Sequence, residues 1–237
     1  MKSFAMGAIL ICLCAANAGA AVIVQDDWSS GLDDWSATNS ARTGPAYGTL
    51  SNVGGTLRIT GGAADPGVKE DYIFENVELA GNRNYMNWGG GTGRVWAVQF
   101  SFYAGAGGVS NVPSGLSVYF LSQGSYVWYY DITPVEGWGF YYANLIFSDG
   151  WYNTQGRNTE AYFLADLTDV DEIGIMLRYQ PNVANQIYGL DDFQLLDEPV
   201  PEPGTYAMAG TVFLAAGMVF RPRLHQMWRS VRDRFRV

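Results

Sequence analysis

Cysteine is nearly absent from this chain, histidine occurs once, and positive charge is scarce over most of its length. Both cysteines, Cys12 and Cys14, lie in an apolar leader. Beyond residue 20 there is therefore no disulfide, no thiol nucleophile and no thiolate ligand for zinc. The one histidine, His225, stands in a basic tail. His-based triads and His-rich metal centres are thereby excluded from the body. From Ala21 to Val200 there are 7 Lys and Arg against 21 Asp and Glu, a net charge of −14. A body of that sign repels nucleic acid, which is set aside as a partner.

The charge that is missing from the body is gathered at the ends. Lys2 precedes the apolar stretch "FAMGAILICLCAA", and "ANAGA" places Ala18 and Ala20 where a signal peptidase requires small residues. Residues 1–20 are expected to be a secretory signal peptide, because the run is shorter than the roughly 18 apolar residues a membrane span needs. At the other end, Gly204 to Phe220 is an uncharged run of 17 residues, followed by arginines at 221, 223, 229, 232, 234 and 236. Seventeen is the lower limit for a spanning helix. Arginines at its border, Arg221, Arg223 and Arg229 foremost, mark the cytoplasmic side. Within the tail, Leu224, Met227, Trp228, Val231 and Phe235 fall on one helical face, as in a segment lying on an anionic leaflet.

Ahead of the span stands Val200-Pro201-Glu202-Pro203-Gly204-Thr205. This motif, a short apolar span and an Arg-rich end, in that order, resemble the PEP-CTERM sorting signal. That family is found on exported proteins of Gram-negative bacteria that make extracellular polysaccharide. The resemblance implies recognition of Pro201, Glu202 and Pro203 by a membrane-embedded exosortase after export through the Sec machinery. It also implies an inner-membrane-anchored precursor that is later released to the cell surface or the biofilm matrix. The family's basic end is a short cluster, whereas this one runs to residue 237 with an apolar face. Three segments are expected: a signal peptide over 1–20, a folded domain over 21–199, and a sorting signal over 200–237. The last comprises a motif over 200–205, a transmembrane helix over 204–220 and a tail over 221–237.

Between the signals, short β-branched and aromatic runs are separated by Gly-rich turns. "AVIVQDDW", "GTLRIT", "DYIFENVEL", "RVWAVQFSFYA", "GLSVYFLS", "SYVWYYDIT", "WGFYYANLIF", "DEIGIMLRY" and "IYGLDDFQLL" are the candidate strands. Only "TEAYFLADL" has the pattern of a short helix. Strands without βαβ alternation predict an all-β fold, an antiparallel β-sandwich of jelly-roll-like form. "DDWSSGLDDWSA" near the start and "YGLDDFQLL" near the end resemble the first and last strands of jelly-roll carbohydrate-binding and laminin-G-like modules. The resemblance implies that the terminal strands pair side by side and hold a structural calcium between their acidic residues.

Strand parity bears on that calcium. If Phe193 and Leu195 face the core, Asp191 points to the same side, with no basic residue beside it in sequence. An inward carboxylate is costly unless paired, and Ca²⁺ bound by Asp191 with Asp26 or Asp27 would compensate it. The other reading leaves these Asp pairs in turns, facing water.

Aromatic residues concentrate from Tyr126 to Tyr152. In alternation, Trp128 shares a face with Tyr130, and Trp138 shares one with Phe140 and Tyr142, while Trp151 and Tyr152 fall in a loop. Sugar C–H faces stack on such rings, so Trp128, Tyr130, Trp138, Trp151 and Tyr152 are candidate carbohydrate contacts. A sandwich also fills its two inner faces with large rings. No Glu-x-Asp-x-x-Glu pattern of the jelly-roll glycosidases is present, so a glycan-active enzyme is the least favoured reading. Two stay open: a surface-delivered module that binds exopolysaccharide, and a structural matrix protein with no defined ligand.

Overall fold

The computed structural model describes residues 20–29, 31–89, 93–105 and 112–201. The leader, Glu202, Pro203, the span and the tail with Arg221, Arg223 and Arg229 lie outside them. Pro201 is exposed. Among the described residues no helix is long and apolar enough to cross a membrane.

The described residues form twelve strands and one α-helix. In chain order these are β1 (Val22–Asp26), β2 (Ser36–Asn39), β3 (Thr49–Val53), β4 (Thr56–Thr60), β5 (Glu70–Glu75) and β6 (Ala97–Ala104). There follow β7 (Gly115–Ser122), β8 (Tyr126–Ile132), β9 (Gly137–Asn144), β10 (Tyr152–Asn153), α1 (Glu160–Asp166), β11 (Val170–Arg178) and β12 (Ile187–Leu196). One six-stranded sheet has the order β3-β4-β12-β6-β9, with β1 also on β12. The other has the order β10-β8-β7-β11-β5-β2. Every pairing is antiparallel, and the protein is an antiparallel β-sandwich.

Nine strands were expected, and each is present. The three additional strands, β2, β3 and β10, are all edge strands. Their sequences, "SATN", "TLSNV" and "YN", are short and largely polar. An edge strand has one partner and needs little apolar surface, so it leaves a weak periodic signal. The helix forms where "TEAYFLADL" predicts it: Thr159 accepts a hydrogen bond from Tyr162 N–H as the N-cap, and Phe163 is buried.

The two inner faces meet in an aromatic core. Trp35 lies edge-on to both Trp28 and Phe193, and Phe193 stacks on Phe100. At the other end Phe120, Trp128 and Trp151 surround Phe163 of α1, at centroid distances of 5.7, 5.1 and 5.6 Å. Buried polar groups are anchored within it. Asp71 accepts from Tyr47 N–H, Gly48 N–H and Tyr179 O–H at 2.7–2.8 Å. Asp166 accepts from Trp128 Nε1–H and pairs with Arg157. The segment Asp166–Glu172 reads in sequence as a solvated turn, yet Asp166 is fully buried because the indole N–H and the guanidinium both need an acceptor there.

The terminal strands β1 and β12 do lie side by side. The last strand pairs with β4 through Ile187–Leu190 and with β1 through Phe193–Leu196. Between these halves the register with β6 shifts between Asp191 and Gln194, and Asp192 adopts φ of 51°. This bulge positions the site described next.

Candidate functional site

The outer face of the sheet containing β12 is built row by row. On β6, Val98, Phe100, Phe102 and Ala104 are buried, so Gln99, Ser101 and Tyr103 turn outward. On β9 the outward residues opposite them are Tyr142, Phe140 and Trp138. On β4, Leu57 and Ile59 are buried and Thr56 and Arg58 turn outward. One row therefore crosses five strands: Ser51, Arg58, Gly189, Tyr103 and Trp138. A second holds Asp191, Ser101 and Phe140, and a third Gln25, Gln194, Gln99 and Tyr142.

The aromatic end of this face is open to solvent. Trp138 is 52% exposed and Phe140 61% exposed, the most exposed rings among the described residues. Trp138 is not splayed into water at random, because its ring lies 5.4 Å from that of Tyr103 and tilts 43° to it. Gly189 supplies the space beside it. A Cβ there would stand 3.1 Å from Thr56 Cγ2, 3.3 Å from Tyr103 Cβ and 3.4 Å from Trp138 Cη2.

The polar end carries amides and carboxylates. Gln99 Nε2–H donates to Gln194 Oε1, Gln25 Nε2–H donates to Asp192 Oδ1, and Thr56 Oγ1 lies 3.5 Å from Asp191 Oδ2. Burial raises Asp191 above the usual carboxylate range, against the hydrogen bond it accepts from Asp192 N–H. The surface thus offers two exposed rings and an adjoining set of donors and acceptors. It lies along strands rather than loops.

The candidate contacts read from sequence separate. Trp138 belongs to this face. Trp128 and Trp151 do not reach solvent: both are core residues, their indole N–H groups satisfied by Asp166 and by the Asn144 carbonyl. Parity along β8 was read correctly, but the side shared by Trp128 and Tyr130 is the inner one. Tyr130 packs 5.6 Å from Trp151 against the core. Tyr152 lies on the outer face of the other sheet, stacked on Tyr129 at 5.6 Å, its O–H donating to Asp131. Burial and the Asp131 carboxylate push its phenol up to about 12.

That second outer face is largely self-covered. Tyr72, Tyr119, Leu121, Val127 and Met176 form a buried cluster under the Arg42 guanidinium, which is 4.8 Å from the Tyr72 ring and paired with Glu172. Sequence reading passed over Tyr103, Arg58 and Phe140 as site residues. The alternation of β6 against β9 was the signal that could have found Tyr103.

The inward orientation expected of Asp191 is corrected. The bulge between Asp191 and Gln194 breaks the parity that Phe193 would impose, so Asp191 sits on the outer face beside Ser101. Asp26 faces the interior, where it accepts from Trp35 Nε1–H at 2.8 Å. Burial lifts its pKa to about 6. Asp27 is exposed and held low by the Ser29 N–H. Asp26 and Asp191 thus turn to opposite sides of the sheet, and among the described residues no group of three or more acidic, His or Cys side chains fits a metal ion.

No family model matches the chain, and no curated protein sequence matches it. Solved structures similar in fold include the family 11 carbohydrate-binding module of the cellulosomal cellulase Lic26A-Cel5E of Clostridium thermocellum. It is 15% identical over 78% of this chain and 98% of that chain, with a TM-score of 0.49. A family 29 carbohydrate-binding module is 11% identical over 72% of this chain and 89% of that chain, with a TM-score of 0.38. An agarase is 11% identical over 75% of this chain but only 26% of that chain, with a TM-score of 0.48. Likeness at this level carries no argument about function, which rests on the site itself.

Proposed function

We propose that this protein is an exported glycan-binding β-sandwich of jelly-roll-like form that binds extracellular polysaccharide through the outer face carrying Trp138, Phe140 and Tyr103. The observation that supports this reading is the exposure of Trp138 and Phe140 beside a row of amides and hydroxyls. Exposed rings of this size leave apolar surface uncovered, and a partner that covers it gains the transfer free energy. A sugar suits both halves of the face, with C–H groups on the rings and hydroxyls on Gln99, Ser101, Gln194 and Asp191. The reading is one of binding without turnover. Glycoside hydrolysis uses two carboxyl groups flanking the scissile bond, and β4, β6 and β9 carry no carboxylate to oppose Asp191.

Delivery is proposed from the sequence. The leader takes the chain through the Sec machinery, and exosortase acts at Pro201-Glu202-Pro203 on an inner-membrane-anchored precursor. The domain then joins the cell surface or the matrix. Two measurements test the proposal. Titration with exopolysaccharide purified from the producing bacterium is expected to protect tryptophan fluorescence from acrylamide in the wild type and not in Trp138→Ala. Equal quenching in both would leave a displayed structural protein without a glycan site. Mass spectrometry of the surface form is expected to find a C-terminus short of Val237; an intact one would refute processing.

A further inference from the structure

Seven Lys and Arg side chains lie between residues 21 and 200, and six of them have partners. Arg42 pairs with Glu172, Lys69 with Asp65, Arg157 with Asp166 and Arg178 with Glu70. Arg83 and Arg94 donate to the carbonyls of Ala80 and Leu145. Arg58 has no ion pair or hydrogen bond among the described residues, and its buried Nε has no acceptor. The one of these seven without a polar partner stands in the row that runs through Gly189 to Tyr103 and Trp138.

No carboxylate of the described residues pairs with that cation. Asp191 is one row along, turned to Thr56 and to Asp192 N–H, and it makes no ion pair with Arg58. Gly189, which stands between Arg58 and Tyr103 in the row, contributes no side chain of its own. Neighbouring strands lie about 4.8 Å apart, so the backbones of Arg58 and Tyr103, two strands apart, are about 10 Å apart. A glycan laid across the row would meet a fork of N–H donors at one end and aromatic faces at the other. Arg is the side chain whose planar fork matches a carboxylate, and charge-assisted bonds of this kind are about twice as strong as neutral ones.

Resting on the glycan-binding reading above, we propose that Arg58 takes the carboxylate of an acidic sugar whose neutral neighbours lie on Tyr103 and Trp138. The ligand class is then a polysaccharide in which isolated uronates are spaced by neutral sugars. A densely charged polyuronate does not fit, because the other carboxylates would face a body of net charge −14 with no second Lys or Arg on the strands of this sheet. That repulsion acts within a screening length of about 8 Å at physiological salt.

The test compares three polymers on the full chain: deacylated gellan, whose repeat sets a glucuronate among neutral sugars, the same gellan after carboxyl reduction, and polygalacturonate. Native gellan is expected to bind about tenfold more tightly than the reduced form, as one charge-assisted contact predicts, and more tightly than polygalacturonate. Arg58→Gln should bring native gellan down to the level of the reduced form, and Arg58→Lys should recover part of the loss. Trp138→Ala should weaken both gellans. Equal binding of native and reduced gellan by the wild type overturns the uronate contact and leaves the platform standing. Polygalacturonate binding as tightly as native gellan overturns the isolated-uronate class. No binding of either gellan, or no effect of Trp138→Ala, overturns the platform and this inference with it.

Discussion

The indole of Trp138 reaches past Tyr103 towards the backbone of Gly189, where a Cβ would stand 3.4 Å from Cη2 of the ring. One residue's missing side chain thus sets where another's ring rests. Gly189 has no left-handed φ, so a branched residue is acceptable to its backbone. The two methyls of Gly189→Val would instead crowd Thr56, Tyr103 and Trp138. The expected result is a fold that still melts cooperatively and a Trp138 indole resonance that moves. Affinity for a neutral glycan should fall about tenfold, the ratio carried by 1.4 kcal/mol. Unchanged binding in a variant whose indole has moved would show that the ring position does not matter.

Trp138 and Trp128 give a paired contrast. Trp138 is more than half exposed, so Trp138→Ala should change stability by no more than about 0.5 kcal/mol while removing glycan binding. Trp128 is fully buried against Phe163 and donates to Asp166. Its truncation to Ala should cost about 3–5 kcal/mol through the cavity it leaves. Denaturant melts of both variants, with glycan titration of each, check the pair. Loss of stability in Trp138→Ala comparable to that in Trp128→Ala would place the exposed ring in a structural role.

How much of this was legible in the sequence differs by layer. The central strands were readable because strands such as β7, "GLSVYFLS", and β11, "VDEIGIMLR", must be apolar to lie inside a sheet. The side-by-side pairing of β1 and β12 was expected from the resemblance of the two ends, and the structure has it. Which aromatic side faces out was not readable. Trp128 and Trp138 sit in similar alternating aromatic strands of different sheets, yet Trp128 turns inward, where Phe163 of α1 packs on it, and Trp138 turns outward. Asp191 was misplaced for a different reason. Parity counting assumes a regular strand, and nothing in "GLDDF" announces that Asp192 takes a positive φ.

Asp71 tests the buried polar network. Its carboxylate accepts from Tyr47 N–H, Gly48 N–H and Tyr179 O–H, and it is fully buried. Asp71→Ala removes the acceptor and leaves three donors unpaired. At about 1–3 kcal/mol for each orphaned group, a loss of about 3 kcal/mol or more is expected. Asp71→Asn retains one carbonyl oxygen and should lose less. Thermal melts decide between them, and an Ala variant as stable as the wild type would mean that water replaces the carboxylate without cost.

Asp26 makes a prediction in pH. It is buried beside Trp35, and burial raises its pKa from an ordinary 3.8 to about 6, against the hydrogen bond from the indole. With the folded pKa above the unfolded one, the native state holds the proton more tightly than the unfolded chain between these values. Linkage then requires stability to fall as pH rises from about 4 to about 6, and to level off above that window. Asp71 and Asp191, also raised by burial, act in the same direction, while exposed Asp27 and Asp65, held low by backbone N–H groups, act in the opposite one. The contribution of Asp26 is therefore isolated by difference. Asp26→Asn keeps an acceptor for Trp35 and cannot ionise, so its melting temperature should fall less than that of the wild type between pH 4 and pH 6.5. The two curves should run parallel above that range. Curves that stay parallel throughout would mean that Asp26 titrates alike in the folded and unfolded chain, and that the interior around Trp35 admits water.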